Sequence, residues 1–381
     1  MRYSNKMELS ALILLALAPM AQATTYIVDS RFDPVIGNAM NCATGSIDTC
    51  TLRDAVAATV SGDTIKFNLI PGTPIYLNND VVLSNSVTID GIGYFPVIID
   101  GSAKTTIFAI SANVTAALSN LTIQHGSGQN GAGVYNAGTL ALANCVVSGN
   151  TGGGIFNNST LTISRSTVTA NSGVGIEIGH GTVTITDSTV SGNAKGGILI
   201  PLNGGLSLSG STVSGNGTVS GESGISNGDG NVVIYNSTIS NNNGGGIFTG
   251  LGDTFVENST LAGNSPTGLE SGLSNSIHVA NTIIADGCSQ PPYDYGGSLD
   301  SGSTCGFSPP NSMSNAVLNL GPLQNNGGPT WTILPGPGSA ALDFGVDSTC
   351  ASIYDLDQRG VRRPQGSHCD SGAVEVVTDR I

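Results

Sequence analysis

The chain has 381 residues, of which 54 are glycine, 5% are aromatic and 10% are charged, and its formal net charge is −14 at pH 7. With 12 lysines and arginines in all, it cannot neutralise a run of nucleic-acid phosphates, and its acidity disfavours tight binding of acidic polysaccharides such as pectin or alginate. Glycine at roughly twice ordinary usage, without a collagen-like period, marks a turn-dense all-β protein.

The first residues predict a secretory signal peptide over 1–23. Arg2 and Lys6 supply the positive start, Leu9 to Ala18 the apolar stretch, and Ala21-Gln22-Ala23 the small-residue cleavage site. The apolar stretch is too short to span a bilayer, so the mature chain is expected to start at Thr24, to be exported, and to carry no transmembrane segment. Seven cysteines fit an oxidising compartment. Local pairing would join Cys42 to Cys50, Cys288 to Cys305 and Cys350 to Cys369, although spacing alone leaves other pairings open. Cys145 is left over. It aligns with Ser166, Ser188, Ser211, Ser237 and Ser259 of later repeats, which predicts a small buried ladder residue rather than a nucleophile.

Residues 24–68 read as an N-terminal cap. Thr24 opens a strand, Thr51 to Ala58 a short helix with a polar start, and Thr64 to Phe67 another strand. A helix there would cover the open end of an apolar interior, where exposed strand edges invite aggregation. The stretch Val87-Thr-Ile-Asp90-Gly91 then fits an early, less regular coil.

Residues 69–286 read as repeats. A glycine followed by a large apolar residue recurs at Gly133, Gly154, Gly175, Gly197, Gly224, Gly246 and Gly268, in steps of 21, 21, 22, 27, 22 and 22 residues. Segments such as Leu161-Thr162-Ile163 and Val183-Thr184-Ile185 alternate apolar and polar, the period of a half-buried strand, and Gly, Asn and Ser clusters separate them. Three short strands per coil predict an all-β, right-handed parallel β-helix. Three columns would line its interior. The first runs from Val134 through Ile155, Ile176, Ile198, Ile225 and Ile247 to Leu269. The second runs from Leu142 to Val256 and the third from Val147 to Leu261. Asn150, Asn171, Asn193, Asn216, Asn242 and Asn264 recur three residues after the third column. They predict a ladder of stacked amides at corners that need a left-handed backbone.

Residues 287–381 read as an irregular C-terminal cap, rich in Pro, Gly and Ser. Its segments Leu320-Gly-Pro-Leu-Gln-Asn-Asn-Gly-Gly-Pro-Thr330, Asp357-Gln-Arg-Gly-Val-Arg-Arg-Pro364 and Cys369-Asp-Ser-Gly-Ala-Val-Glu375 resemble the choice-of-anchor Q region of bacterial surface proteins. Nearer the front, Cys50-Thr-Leu-Arg-Asp-Ala and Gly62-Asp-Thr-Ile-Lys-Phe resemble the CSLREA-type segment that opens many bacterial β-helix proteins, with Thr51 and Asp54 replacing Ser and Glu. The two resemblances bracket the solenoid and imply a secreted or surface-associated bacterial protein. The sequence ends six residues after Glu375, without the apolar tail or sorting motif of a C-terminal anchor, so release or non-covalent retention at the surface is the expectation.

Parallel β-helices include polysaccharide lyases and polygalacturonase-type hydrolases, and catalytic groups here would have to come from the sparse charges of the repeats. Glu177, His180, Asp187 and Lys195 are the candidates. A lyase would need carboxylates holding Ca²⁺ and a nearby base, and a hydrolase paired carboxylates. The Gly179-His180-Gly181 tripeptide is similar to a histidine motif of polygalacturonase-type hydrolases, but no Asp-Asp pair accompanies it. Arg165 and Asp187 share one repeat position and are expected to form a surface ion pair. Asp343, Asp347, Asp355, Asp357 and Asp370 form the densest acidic set, and a structural Ca²⁺ is the one cofactor they imply. Arg359, Arg362 and Arg363 lie in the same stretch and compete for those carboxylates. The leading expectation is a monomeric, non-catalytic protein for adhesion, with a polysaccharide or a host or matrix surface as partner. The alternative is a polysaccharide-active enzyme, lyase more than hydrolase.

Overall fold

The computed structural model describes residues 23–43, 48–70, 72–92, 96–219, 222–272, 276–351 and 355–377. Apart from Ala23, the expected signal peptide lies outside the described residues. Among these residues no helix is long and apolar enough to cross a membrane.

Each regular coil carries three strands. One coil holds Val134–Asn136, Thr139–Ala143 and Val146–Ser148, and the next holds Ile155–Asn157, Thr160–Ser164 and Thr167–Thr169. Corresponding strands pair in parallel, in register, and build three sheets of 9, 12 and 11 strands. The alternation Thr160-Leu161-Thr162-Ile163-Ser164 turns Leu161 and Ile163 inward, at 1% exposure each, and leaves the hydroxyls outside. The register sets Ile155 beside Ile176, Ile163 beside Ile185 and Val168 beside Val190, so the three expected columns line the interior. A fourth column, Leu140–Leu161–Val183–Leu206–Val232, fills the space beside the second. No coil buries these side chains alone; the coils above and below do so.

The asparagine ladder forms at one corner. Nδ2 of Asn150, Asn171, Asn193, Asn216 and Asn242 each donates to Oδ1 of the next asparagine at 2.9–3.0 Å, and Asn264 donates to Asp286 at 2.9 Å. The expected left-handed backbone, however, falls on the residues just before the ladder, at Gly149, Ala170, Gly192, Gly215, Asn241 and Gly263, and on none of the six asparagines. The turn is made one residue earlier, which leaves each amide free to point along the solenoid axis.

At the front, the 12-stranded sheet already includes Thr25–Val28 and Asp63–Phe67, so coil winding begins inside the stretch expected to be a cap. The helix Leu52–Ala58 lies between these strands and buries Leu52 and Ala55 against the end of the core. Thr51 and Asp54 form a reciprocal capping box at the start of this helix. Arg53 pairs with the buried Asp33 at 2.8 Å and also donates to the Asp80 carbonyl, tying the helix to the next coil.

At the rear, pairing continues past residue 286 to Tyr293–Asp294 and Leu299–Asp300. The remaining chain then turns back along the outside of the 11-stranded sheet. Its guide is a column of outward threonines, Thr189–Thr212–Thr238–Thr260. Thr212 donates to the Trp331 carbonyl and Thr238 to Gln358, both at 2.6 Å, while Thr260 accepts from the Ala373 N–H at 2.9 Å. Disulfides join Cys42 to Cys50, Cys288 to Cys305 and Cys350 to Cys369. Cys145 is a free thiol, 1% exposed, whose N–H donates to Ser166 Oγ in the hydroxyl ladder.

Candidate functional site

The four candidate residues of the repeats do not meet in one place. Glu177 and Lys195 line a small groove of about 130 Å³ with Gln129 and the glycines Gly131, Gly152, Gly153 and Gly173. Glu222 joins them electrostatically. It comes from the 27-residue step between Gly197 and Gly224, and its carboxylate lies over Gly196, where a β-carbon would stand 3.3 Å from Oε2. Burial pushes the Glu177 carboxyl above its usual range, and the charge of Glu222 adds to that. Glu222 is also raised by partial desolvation, which the neighbouring Lys195 charge opposes. Glu177 and Lys195 are two of the sequence candidates; for Glu222 the sequence sign is the one long step in an otherwise regular period.

His180 is exposed at a corner, where its backbone carbonyl accepts from Asn157 at 3.5 Å. Asp187 is exposed on another face and opens into a groove of about 530 Å³ with Tyr235, Asn236, Asp357 and Arg359. The expected Arg165–Asp187 ion pair does not form: both residues take left-handed backbone, and the Asp187 carboxylate leans over Gly210 of the following coil. Arg359 is not available to Asp187 as a base. It is held by Asp357 at 2.8 Å and by the carbonyls of Asn326 and Glu375.

The C-terminal carboxylates are engaged by the chain itself. Asp357 accepts from the N–H groups of Arg359, Val361 and Glu375. Asp370 accepts from those of Asp343 and Val376, and Asp343 from that of His368. Asp347 accepts from His368 Nδ1 and the Cys369 N–H, which hold its carboxyl below the usual range. Asp355 sits in left-handed backbone. Among the described residues no three His, Cys, Asp or Glu side chains converge as they would around a metal ion. Asp343, Asp347, Asp357 and Asp370 thereby fasten the returning strap.

A different group of residues is brought together on the outside of the 12-stranded sheet. The register places Phe255 beside His278 and His278 beside Tyr293. The Phe255 and His278 rings stack at 4.4 Å, those of His278 and Tyr293 at 5.1 Å, and those of His278 and Tyr295 at 5.9 Å, all within 14° of parallel. Tyr295 also reaches His278 Nδ1 through its hydroxyl, at 3.2 Å. Tyr293 and Tyr295 are 48% and 62% exposed, the first in the last strand of its sheet and the second just beyond that strand. Asp253 and Glu257 flank Phe255 on the same outward face; Asp294, between the tyrosines in sequence, is exposed and accepts from the Gly296 N–H at 3.1 Å.

A family model for the right-handed β-helix region matches residues 46–216 and 179–308. The crystal structure of pectate lyase Pel9A is similar in fold, with a TM-score of 0.52 over 94% of this chain and 97% of that one, at 16% sequence identity. No curated protein sequence matches the chain. Two overlapping matches that together span residues 46–308, and a structure wound as parallel coils over that range, place the chain in the right-handed β-helix family.

Proposed function

We propose that this is an exported β-helix protein that holds a polysaccharide or matrix glycan against its outer wall and does no chemistry on it. Three disulfides support the extracellular setting. The observation that carries the non-catalytic reading is the separation of the candidate groups. Glu177 and Lys195 share one groove, Asp187 opens into another, and His180 stands at a corner. Elimination or hydrolysis needs its acid, base and charge-stabilising groups around one bond.

One observation favours the alternative, a polysaccharide-active enzyme. The Glu177 groove carries one carboxylate raised by burial and one lysine, with the raised carboxylate of Glu222 acting on both by its charge, and raised carboxylates serve as general acids in glycoside cleavage. A panel of polysaccharides, incubated with mature protein with and without Ca²⁺, decides between the two. The proposal expects retention of the protein on at least one polymer and no new reducing or unsaturated ends. Cleavage that disappears in Glu177→Ala or Lys195→Ala, with the melting temperature unchanged, would replace it with the enzyme reading.

A further inference from the structure

We infer that the ring platform of Phe255, His278, Tyr293 and Tyr295 is a binding site for a glycan that carries free amino groups, a polymer of glucosamine type. This rests on the glycan-contact reading above and names its place and its ligand class. Phe255 and His278 form a base stacked at coil spacing, and Tyr293 and Tyr295 lie over the imidazole at the edge of the sheet. With no later strand covering them, the two tyrosines keep exposed ring surface. Both rings lie over the one imidazole, at 5.1 and 5.9 Å, and so offer a sugar one adjoining surface. Apolar C–H faces of a sugar pack on such rings, while Tyr hydroxyls and imidazole nitrogen offer hydrogen bonds at the rim.

Charge selects the class of sugar. Outward positions on the two strands that carry Phe255 and His278 are Asp253, Phe255, Glu257 and His278, so these strands offer carboxylates and no lysine or arginine, while Arg359, in the groove beside Tyr235, is held by Asp357. A uronate polymer would meet like charge there, on a protein already at −14. An ammonium group would meet opposite charge and aromatic rings, both of which attract cations.

The test measures retention of the full mature protein on glucosamine polymer, on its N-acetylated form and on polygalacturonate. Wild type is compared with Tyr293→Ala/Tyr295→Ala and with Asp253→Asn/Glu257→Gln/Asp294→Asn. The inference expects at least tenfold tighter binding to the free-amine polymer than to the other two. It also expects a loss of at least tenfold in the double tyrosine variant, with the melting temperature unchanged because both rings are exposed. That variant keeps the net charge, so general attraction of an acidic protein to a polycation would not produce the loss. The triple variant should lose the preference for free amines while still binding the N-acetylated polymer. Unchanged binding by the tyrosine variant, or equal binding to the acetylated and free-amine polymers, overturns the inference but leaves the glycan-contact reading standing. Failure of wild type to bind any of a wide panel of polysaccharides overturns both.

Discussion

Replacing Asn193 by alanine tests whether the amide ladder is a principal stabiliser of the solenoid. Asn193 is fully buried, and its side chain makes four hydrogen bonds. Nδ2 donates to Asn216 Oδ1 at 3.0 Å and to the Val168 carbonyl at 3.2 Å, while Oδ1 accepts from Asn171 N–H at 3.2 Å and from Asn171 Nδ2 at 2.9 Å. At about 1 kcal/mol net per bond, with the buried Asn171 N–H left without its acceptor, the cost should be about 3–5 kcal/mol. Asp286→Asn at the end of the ladder is the contrasting change. Asp286 only accepts, through one oxygen from Asn264 and through the other from Gly263; an asparagine keeps the first and loses the second at an exposed site, so the cost should be about 1–2 kcal/mol. Chemical denaturation gives the global loss, and amide hydrogen exchange at Asn171 reads the coil itself, which matters because a solenoid can open locally. If Asn193→Ala costs no more than Asp286→Asn and the Asn171 amide stays protected, the ladder is ornamental and the reasoning fails.

Ile176→Asp would place a charge in the column between Ile155 and Ile198, at a position with no exposure, and should yield no folded protein by circular dichroism. Burial raises the Cys145 thiol to about 11, so thiol reagents at pH 8 should modify native protein far more slowly than unfolded protein, and a single thiol should be counted after unfolding without reductant. Glu177 is raised above its unfolded value by burial and then by Glu222, so its contribution to stability is fully present at low pH and is lost as pH rises through its folded value. Glu177→Gln should therefore raise the melting temperature at pH 7 and give no gain below about pH 4, where the carboxyl is protonated in both states.

The repeat itself was legible because its signals are local. Apolar-polar alternation names the inward residues, and a step near 22 residues brings Ile155, Ile176 and Ile198 into one column without knowledge of anything else in the chain. The asparagine column was legible for the same reason. Its backbone was not, because amides that stack and residues that take the left-handed turn are neighbours, and either could be asparagine, as Asn241 shows. The returning strap was hidden because its partners are far apart in sequence: Gln358 bonds Ser211 and Thr212, 147 and 146 residues away. A run of outward threonines is ordinary on a half-exposed strand until something lies on it. Glu222 and the ring platform fall between these cases. The long step announced an insertion but not which charge it would deliver, and Phe255 and His278 keep the repeat spacing while Tyr293 and Tyr295 lie where the period has already failed.

A wall that holds a glycan without altering it should give that glycan back intact. The most direct measurement incubates a defined oligosaccharide of the preferred class with an equal amount of mature protein, isolates the complex, and weighs the released sugar by mass spectrometry. Recovery of the bound oligosaccharide at its original length, over a time long compared with dissociation, is the result expected. Recovery of shorter fragments, with either an added water or an unsaturated end, would contradict the claim.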